Sequence, residues 1–284
     1  MSRVQTFIRV LGERNTGTRA MIQMMRAQAG VRMFPAGEGG PGDPPELAGL
    51  KAQVEAMAAP WRAVYRDALR DMVLARACPV KMWKHGRIVP DPAFAEKRAH
   101  LVFCVRDPYS WVISLAKNPY HLRGPMPATL AEFVARPWLT MGRDNMDAVL
   151  ESPLELWNGK NRAYRDFAME GVPVEVVRFE DFVVAPEREV MRVLDAFGVA
   201  HEGVARLEQS TKDGRSAEEL ATYYAREGWT GWLTRDVVAA INARVDWDVA
   251  AAFGYARRDP ADFPVRLSRA VAAGMRARIG RMGG

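Results

Sequence analysis

Residues Gly12-Glu13-Arg14-Asn15-Thr16-Gly17-Thr18 follow directly on the apolar run Phe7-Ile8-Arg9-Val10-Leu11. Beyond them Met21, Met24, Met25 and Gln28 fall at helical spacing. A strand, a tight turn of small and hydroxyl residues and a helix gather backbone N–H groups at a helix N-terminus. Such a turn suits a phosphate or sulfate. Gly17 permits close backbone approach. Thr16 and Thr18 offer hydroxyls, and Arg14 and Arg19 offer charge. The same residues also suit a strand-to-helix turn without a ligand. No Gly-Lys-Ser/Thr closes the loop, which argues against Mg-nucleotide hydrolysis.

A second set lies in Cys104-Val105-Arg106-Asp107-Pro108-Tyr109-Ser110-Trp111-Val112-Ile113-Ser114. Here a strand is expected to end at Arg106, and Pro108 to open a helix. Ser114 would then stand about two turns beyond Arg106. An Arg at a strand's C-terminal end, with a Ser on the next helix, can clamp a phosphate where open α/β sheets bind ligands. The competing reading pairs Arg106 with a neighbouring carboxylate. A third set is Lys81-Met82-Trp83-Lys84-His85-Gly86. His is the side chain that most readily exchanges a proton near neutral pH, although a lone His at a strand end is more often structural.

These residues need a frame. Apolar runs at Thr6–Leu11, Val80–Trp83, Leu101–Val105 and Val174–Arg178 read as buried strands. Helical patterns run over Thr16–Ala29, Trp61–Ala77, Pro108–Ala116, Pro153–Glu170 and Pro186–Phe197. Ser152-Pro153 reads as an N-cap and first-turn Pro. The alternation predicts an α/β fold of three P-loop-like layers, with a mostly parallel central sheet flanked by helices. Pro35–Pro45 is rich in Pro and Gly and reads as a loop. Asn118–Arg143 reads as a lid or a long connection.

The chain has 284 residues, about half of them hydrophobic, which suits one large α/β domain. Its formal net charge is +6, and five arginines with no acid in residues 266–284 account for +5 of it. The basic character is thus a property of the tail, and no nucleic-acid partner is expected. Leu267, Val271, Met275 and Ile279 make residues 266–284 a basic amphipathic helix, separate from a domain over 1–265. It is expected to dock on the domain or to stay half disordered; the other reading is a membrane-surface or partner-binding role. Cys78 and Cys104 read as buried thiols of a reducing compartment. The four His, at 85, 100, 121 and 201, are too scattered for a metal site, and no metal is expected. No apolar stretch is long enough for a membrane span, and no signal peptide is apparent, so a cytoplasmic location is expected.

Together the first two motifs resemble the sulfotransferases that use 3'-phosphoadenosine-5'-phosphosulfate (PAPS), and look closest to a bacterial and algal branch of that superfamily. Two further segments are similar to the family's pattern in the same order. One is Arg178-Phe179-Glu180-Asp181-Phe182; the other is Arg226-Glu227-Gly228-Trp229-Thr230-Gly231-Trp232. The resemblance spans roughly residues 5–255.

It implies that Arg14, Asn15, Thr16, Gly17, Thr18 and Arg19 hold the 5'-phosphosulfate. It also implies that Arg106, Ser114, Arg226 and Gly228 hold the 3'-phosphate. His85 would be the general base toward an acceptor hydroxyl on a carbohydrate, lipid or other small molecule, without a metal. Asn15 stands where the family often carries Lys, so Arg14 or Lys84 must supply that charge. Glu227 replaces a second basic residue and leaves Arg226. His121, and the aromatics Trp83, Trp111, Tyr120, Trp138 and Trp157, are candidates for the acceptor pocket or for packing. Two other readings stay open. One is a P-loop kinase-like phosphotransferase; the other is a non-catalytic nucleotide-binding relative.

Overall fold

The computed structural model describes residues 6–34, 45–77, 83–120, 122, 127–205 and 215–267. Strand β1 (Thr6–Gly12) leads into helix α1 (Thr18–Arg26) and a short strand β2 (Val31–Met33). Helices α2 (Ala48–Glu55), α3 (Ala59–Ala77) and α4 (Pro92–Glu96) precede β3 (His100–Val105). Then come α5 (Pro108–Lys117), α6 (Leu130–Ala135) and a two-stranded ribbon of β4 (Trp138–Leu139) and β5 (Val149–Leu150). After α7 (Leu154–Arg165), strand β6 (Val174–Arg178) completes the sheet. Helices α8 (Phe179–Val184), α9 (Pro186–Ala196), α10 (Ala217–Ala225), α11 (Arg235–Asn242) and α12 (Trp247–Ala252) follow.

The described residues form a parallel sheet in the order β2-β1-β3-β6. Alternation along its strands divides the core into two layers. Leu101, Phe103 and Val105 face α5, α6, α7, α11 and α12. Val102 and Cys104 of β3, with Ile8 and Val10 of β1, face α1 and α9. On the second side Met21, Met24 and Met25 meet Val190, Val193 and Leu194. The α/β fold with a central parallel sheet between helices agrees with the sequence pattern.

The differences are local. Helix α1 starts two residues later than the pattern suggested, because Gly17 is left-handed. Helix α7 ends at Arg165 rather than Glu170. Phe167 and Met169 still pack on the core after the chain has left the helix, which prolongs the apolar pattern. Ser152 is not the N-cap of α7. Its hydroxyl accepts from the Leu154 amide and donates to the Val134 carbonyl, and Pro153 takes the cap position. The Asn118–Arg143 stretch contains α6 and the first ribbon strand.

The expected strand Val80–Trp83 (except Trp83), Lys81, Cys78, His121, most of the Pro35–Pro45 loop and residues 268–284 of the basic tail lie outside the described residues. Among the described residues no helix is long and apolar enough to cross a membrane.

Candidate anion-binding site

The first loop joins β1 to α1 at the sheet's C-terminal edge. Gly12 ends the strand because nothing larger fits. A Cβ there would lie 2.5 Å from Thr16 Oγ1 and 2.6 Å from the Cys104 carbonyl oxygen. Asn15 and Gly17 both take left-handed backbone, at φ 69° and 81°. Asn tolerates that region better than most residues, and Gly adopts it freely.

Four of the loop carbonyls are held by protein donors. Thr16 Oγ1 donates to Glu13 O at 2.6 Å, Trp111 Nε1 to Arg14 O at 2.9 Å, and Arg106 Nη1 to Asn15 O at 2.6 Å. The Met21 amide takes Gly17 O at 3.0 Å. By contrast, the amides of Thr16, Gly17, Thr18 and Arg19 meet no acceptor among the described residues. With these four carbonyls engaged and these donors free at the start of α1, the loop has the donor arrangement of an anion nest. Thr16 and Thr18 are buried in it, whereas Arg19 is exposed on the first turn of α1.

The charges beside the loop are mostly buried. Glu13 accepts the Arg14 amide at 2.7 Å with one carboxylate oxygen and Lys160 Nζ with the other. Lys160 also donates to Asp144 Oδ1 at 2.7 Å. Burial pushes the Asp144 carboxyl up, but Lys160 and Arg14 outweigh it and hold it at about 2. Arg14 Nη1 stands 3.6 Å from Glu13 and 3.8 Å from Asp144. The Arg14 guanidinium lies 4.4 Å from the Trp83 ring centroid and 5.9 Å from that of Tyr120. Its Nη2 is buried and has no hydrogen-bond partner among the described residues. A buried charged donor without an acceptor is costly and points to a ligand acceptor. Trp83 also receives Arg143, 4.8 Å from its centroid, which Asp67 and Asp71 hold in turn.

The Lys84-His85 segment is fastened to the same strand end. The Gly12 amide donates to Lys84 O at 3.0 Å, and His85 Nδ1 lies 2.6 Å from Gly12 O. A carbonyl only accepts, so Nδ1 carries the hydrogen and the Nε2 lone pair is left available. Burial, then the positive charges of Arg14 and Lys84, hold the imidazole well below its ordinary value. It is therefore neutral at pH 7. Trp83 packs edge-on against it at 4.8 Å.

The second motif meets the loop from β3. Arg106 Nε donates to Ser110 Oγ at 2.8 Å, Nη1 to the loop carbonyl of Asn15, and Nη2 to Tyr224 Oη at 2.8 Å. Phe179 and Tyr224 lie 4.2 and 5.2 Å from its guanidinium carbon. Ser110, four residues on, is the serine bonded to Arg106; Ser114 is half-buried one turn farther along α5. Asp107 caps α5 by accepting the Ser110 amide at 2.9 Å. Burial, and then the neighbouring Glu180 carboxylate, raise the Asp107 carboxyl to about 7. Trp157 Nε1 secures the Arg106 carbonyl at 2.8 Å.

Helix α10 packs on α8 and brings Tyr224 to Arg106. Arg226 and Gly228, just beyond, are exposed, and Glu227 is paired with Arg258 at 2.5 Å.

The structure thus gathers Arg14, Asn15, Thr16, Gly17, Thr18, Lys84, His85 and Arg106 around one strand end. It adds Glu13, Ser110, Asp144, Lys160 and Tyr224, which sequence reasoning did not select. Lys160 left a legible trace, since with Trp157, Asn161 and Tyr164 it falls on the buried face of α7. A Lys on such a face signals a buried partner. Trp111, Trp138 and Trp157 belong to the core, whereas Trp83 and Tyr120 flank Arg14. No family model matches this chain, and no curated protein matches it with significant similarity.

Proposed function

We propose that this chain is a metal-independent sulfotransferase that moves a sulfuryl group from PAPS to an acceptor hydroxyl on a carbohydrate, lipid or other small molecule. One observation carries the reading. The buried, unpartnered Nη2 of Arg14 accompanies four free amides at the start of α1. That donor set fits an anion held by charge and backbone rather than by a loop Lys. The donor nucleotide, when bound, supplies an activated sulfuryl group.

The residues of the chain have separate tasks. Thr16, Gly17, Thr18 and Arg19 would offer amides, and Arg14 its free N–H, toward negative charge growing on the sulfuryl and bridging oxygens. Lys84, one residue before His85, would add positive charge beside them. Arg106 ties the second motif to the first through Asn15 O, so a nucleotide spanning both would meet one rigid unit. Ser114, Arg226 and Gly228 remain the further candidates for its 3'-phosphate. His85, neutral and oriented by Gly12 O, would take the acceptor proton on Nε2.

The test follows transfer of labelled sulfate from PAPS to a panel of acceptors. His85→Ala is expected to lower kcat by roughly 10²–10⁴-fold, the usual worth of a positioned base. Affinity for adenosine 3',5'-bisphosphate should change little. Because the imidazole stays neutral at pH 7, wild-type kcat/KM should be flat around neutrality and fall only well below pH 6.5. Equal losses of turnover and nucleotide affinity, or an acid limb centred at pH 6.5 or above, would remove His85 as the base.

A further inference from the structure

The loop that offers donors to an anion also carries a carboxylate, Glu13, and lies beside another, Asp144. Both are almost fully buried, at 1% and 2% exposure. Two buried negative charges would repel an incoming anion. Each also lies within 4 Å of Arg14 Nη1 and could draw that guanidinium to itself. What stands between these effects and the loop is Lys160, at 0% exposure, whose ammonium bridges the two carboxylates. The other oxygen of Glu13 then remains on the Arg14 amide. Lys160 comes from α7, far from the loop in sequence, and donates no hydrogen bond to loop backbone among the described residues.

We propose that Lys160 is a positioning residue that balances the charge of the anion loop. By engaging Glu13 and Asp144 together, it leaves Arg14 Nη2 free to serve an anionic group and keeps the loop mouth positive. This rests on the anion-loop reading above and deepens it. The net charge of the Glu13–Lys160 pair is zero, so the proposal makes a demand that a purely structural role does not. Removing both charges together should spare anion affinity, while removing Lys160 alone should not.

The test measures binding of adenosine 3',5'-bisphosphate, and separately of inorganic pyrophosphate, by calorimetry. Wild type is compared with Lys160→Met, Glu13→Gln and the double variant. Glutamine keeps an oxygen for the Arg14 amide and loses only the charge. Lys160→Met is expected to weaken both ligands on the order of 10- to 100-fold, the effect of one uncompensated charge roughly 6–12 Å away at an effective dielectric near 20. Glu13→Gln should bind at least as tightly as wild type, and the double variant within about threefold of it.

A double variant as weak as Lys160→Met, or weaker, would overturn the proposal. If Lys160→Met does not fold, Glu13→Gln carries the test alone, and weaker binding than wild type overturns it. Wild type that binds pyrophosphate but not the nucleotide would refute the PAPS reading and leave this comparison intact with pyrophosphate. Wild type that binds neither would refute both.

Discussion

Arg106 offers the sharpest test of how the two motifs are joined. Its guanidinium makes three hydrogen bonds, to Ser110 Oγ, Asn15 O and Tyr224 Oη, between two aromatic rings. Replacing it with Ala removes all three and leaves the Asn15 carbonyl without its donor. Each bond from a charged donor is worth about 1.5–3 kcal/mol when its partner is kept from water. They share one guanidinium and do not add fully, so a loss of roughly 3–5 kcal/mol is expected, as for other broken buried charged networks. At about 2–4 °C per kcal/mol for a chain of this size, Tm should fall by roughly 6–20 °C.

Tyr224→Phe removes one of the three bonds and should cost about 1.5 kcal/mol, the low end for a charged donor, because Tyr224 is only half-buried. In the Arg106→Ala background the same change should cost almost nothing. Calorimetric melts of the four proteins, with urea unfolding as a second probe, give the cycle. A fall below about 2 °C for Arg106→Ala, or additive effects of the two changes, would show that Arg106 does not tie α10 to the first loop.

Two further outcomes follow. Gly12→Ala places a Cβ 2.6 Å from a β3 carbonyl that a rotamer change cannot move. It should cost about 1–3 kcal/mol and weaken nucleotide binding, and a variant with wild-type Tm and affinity would contradict the strand-end geometry. Asp107 holds its proton to about pH 7 in the folded chain, whereas an unfolded Asp releases it near 3.9. The folded state thus binds more protons across that window, and this group's contribution to stability falls as pH rises, by up to about 1.4 kcal/mol per pH unit. Asp107→Asn keeps the cap oxygen and removes the titration. Its Tm relative to wild type should therefore climb from pH 5 to pH 7, and a constant difference would assign the proton elsewhere.

The parts of this molecule that were legible in the sequence are those governed by local pattern. The apolar alternation of β1 and β3, the methionines of α1 and Pro108 opening α5 each announce themselves within a dozen residues. Strand β2 did not, because three residues at the sheet edge carry too short a pattern to separate from a loop. The site followed the same division. Its loop and His85 were readable because their residue types suit one chemistry at close spacing. Ser110 was not singled out, since spacing alone does not say which serine the Arg106 side chain turns toward. Tyr224 and Lys160 reach the site through tertiary packing, across 118 and 147 residues of chain. Nothing local to either one names its partner.

The proposed function requires the Gly12–Thr18 loop and Arg106 to form one site for a nucleotide carrying a 3'-phosphate. Calorimetric titration of the wild-type chain with adenosine 3',5'-bisphosphate, against ATP with Mg²⁺, tests it most directly. Saturable 1:1 binding of the bisphosphate, lost in Arg14→Ala, and much weaker binding of ATP are expected. Tight ATP binding that requires Mg²⁺, with no heat from the bisphosphate, would contradict it and favour a phosphotransferase.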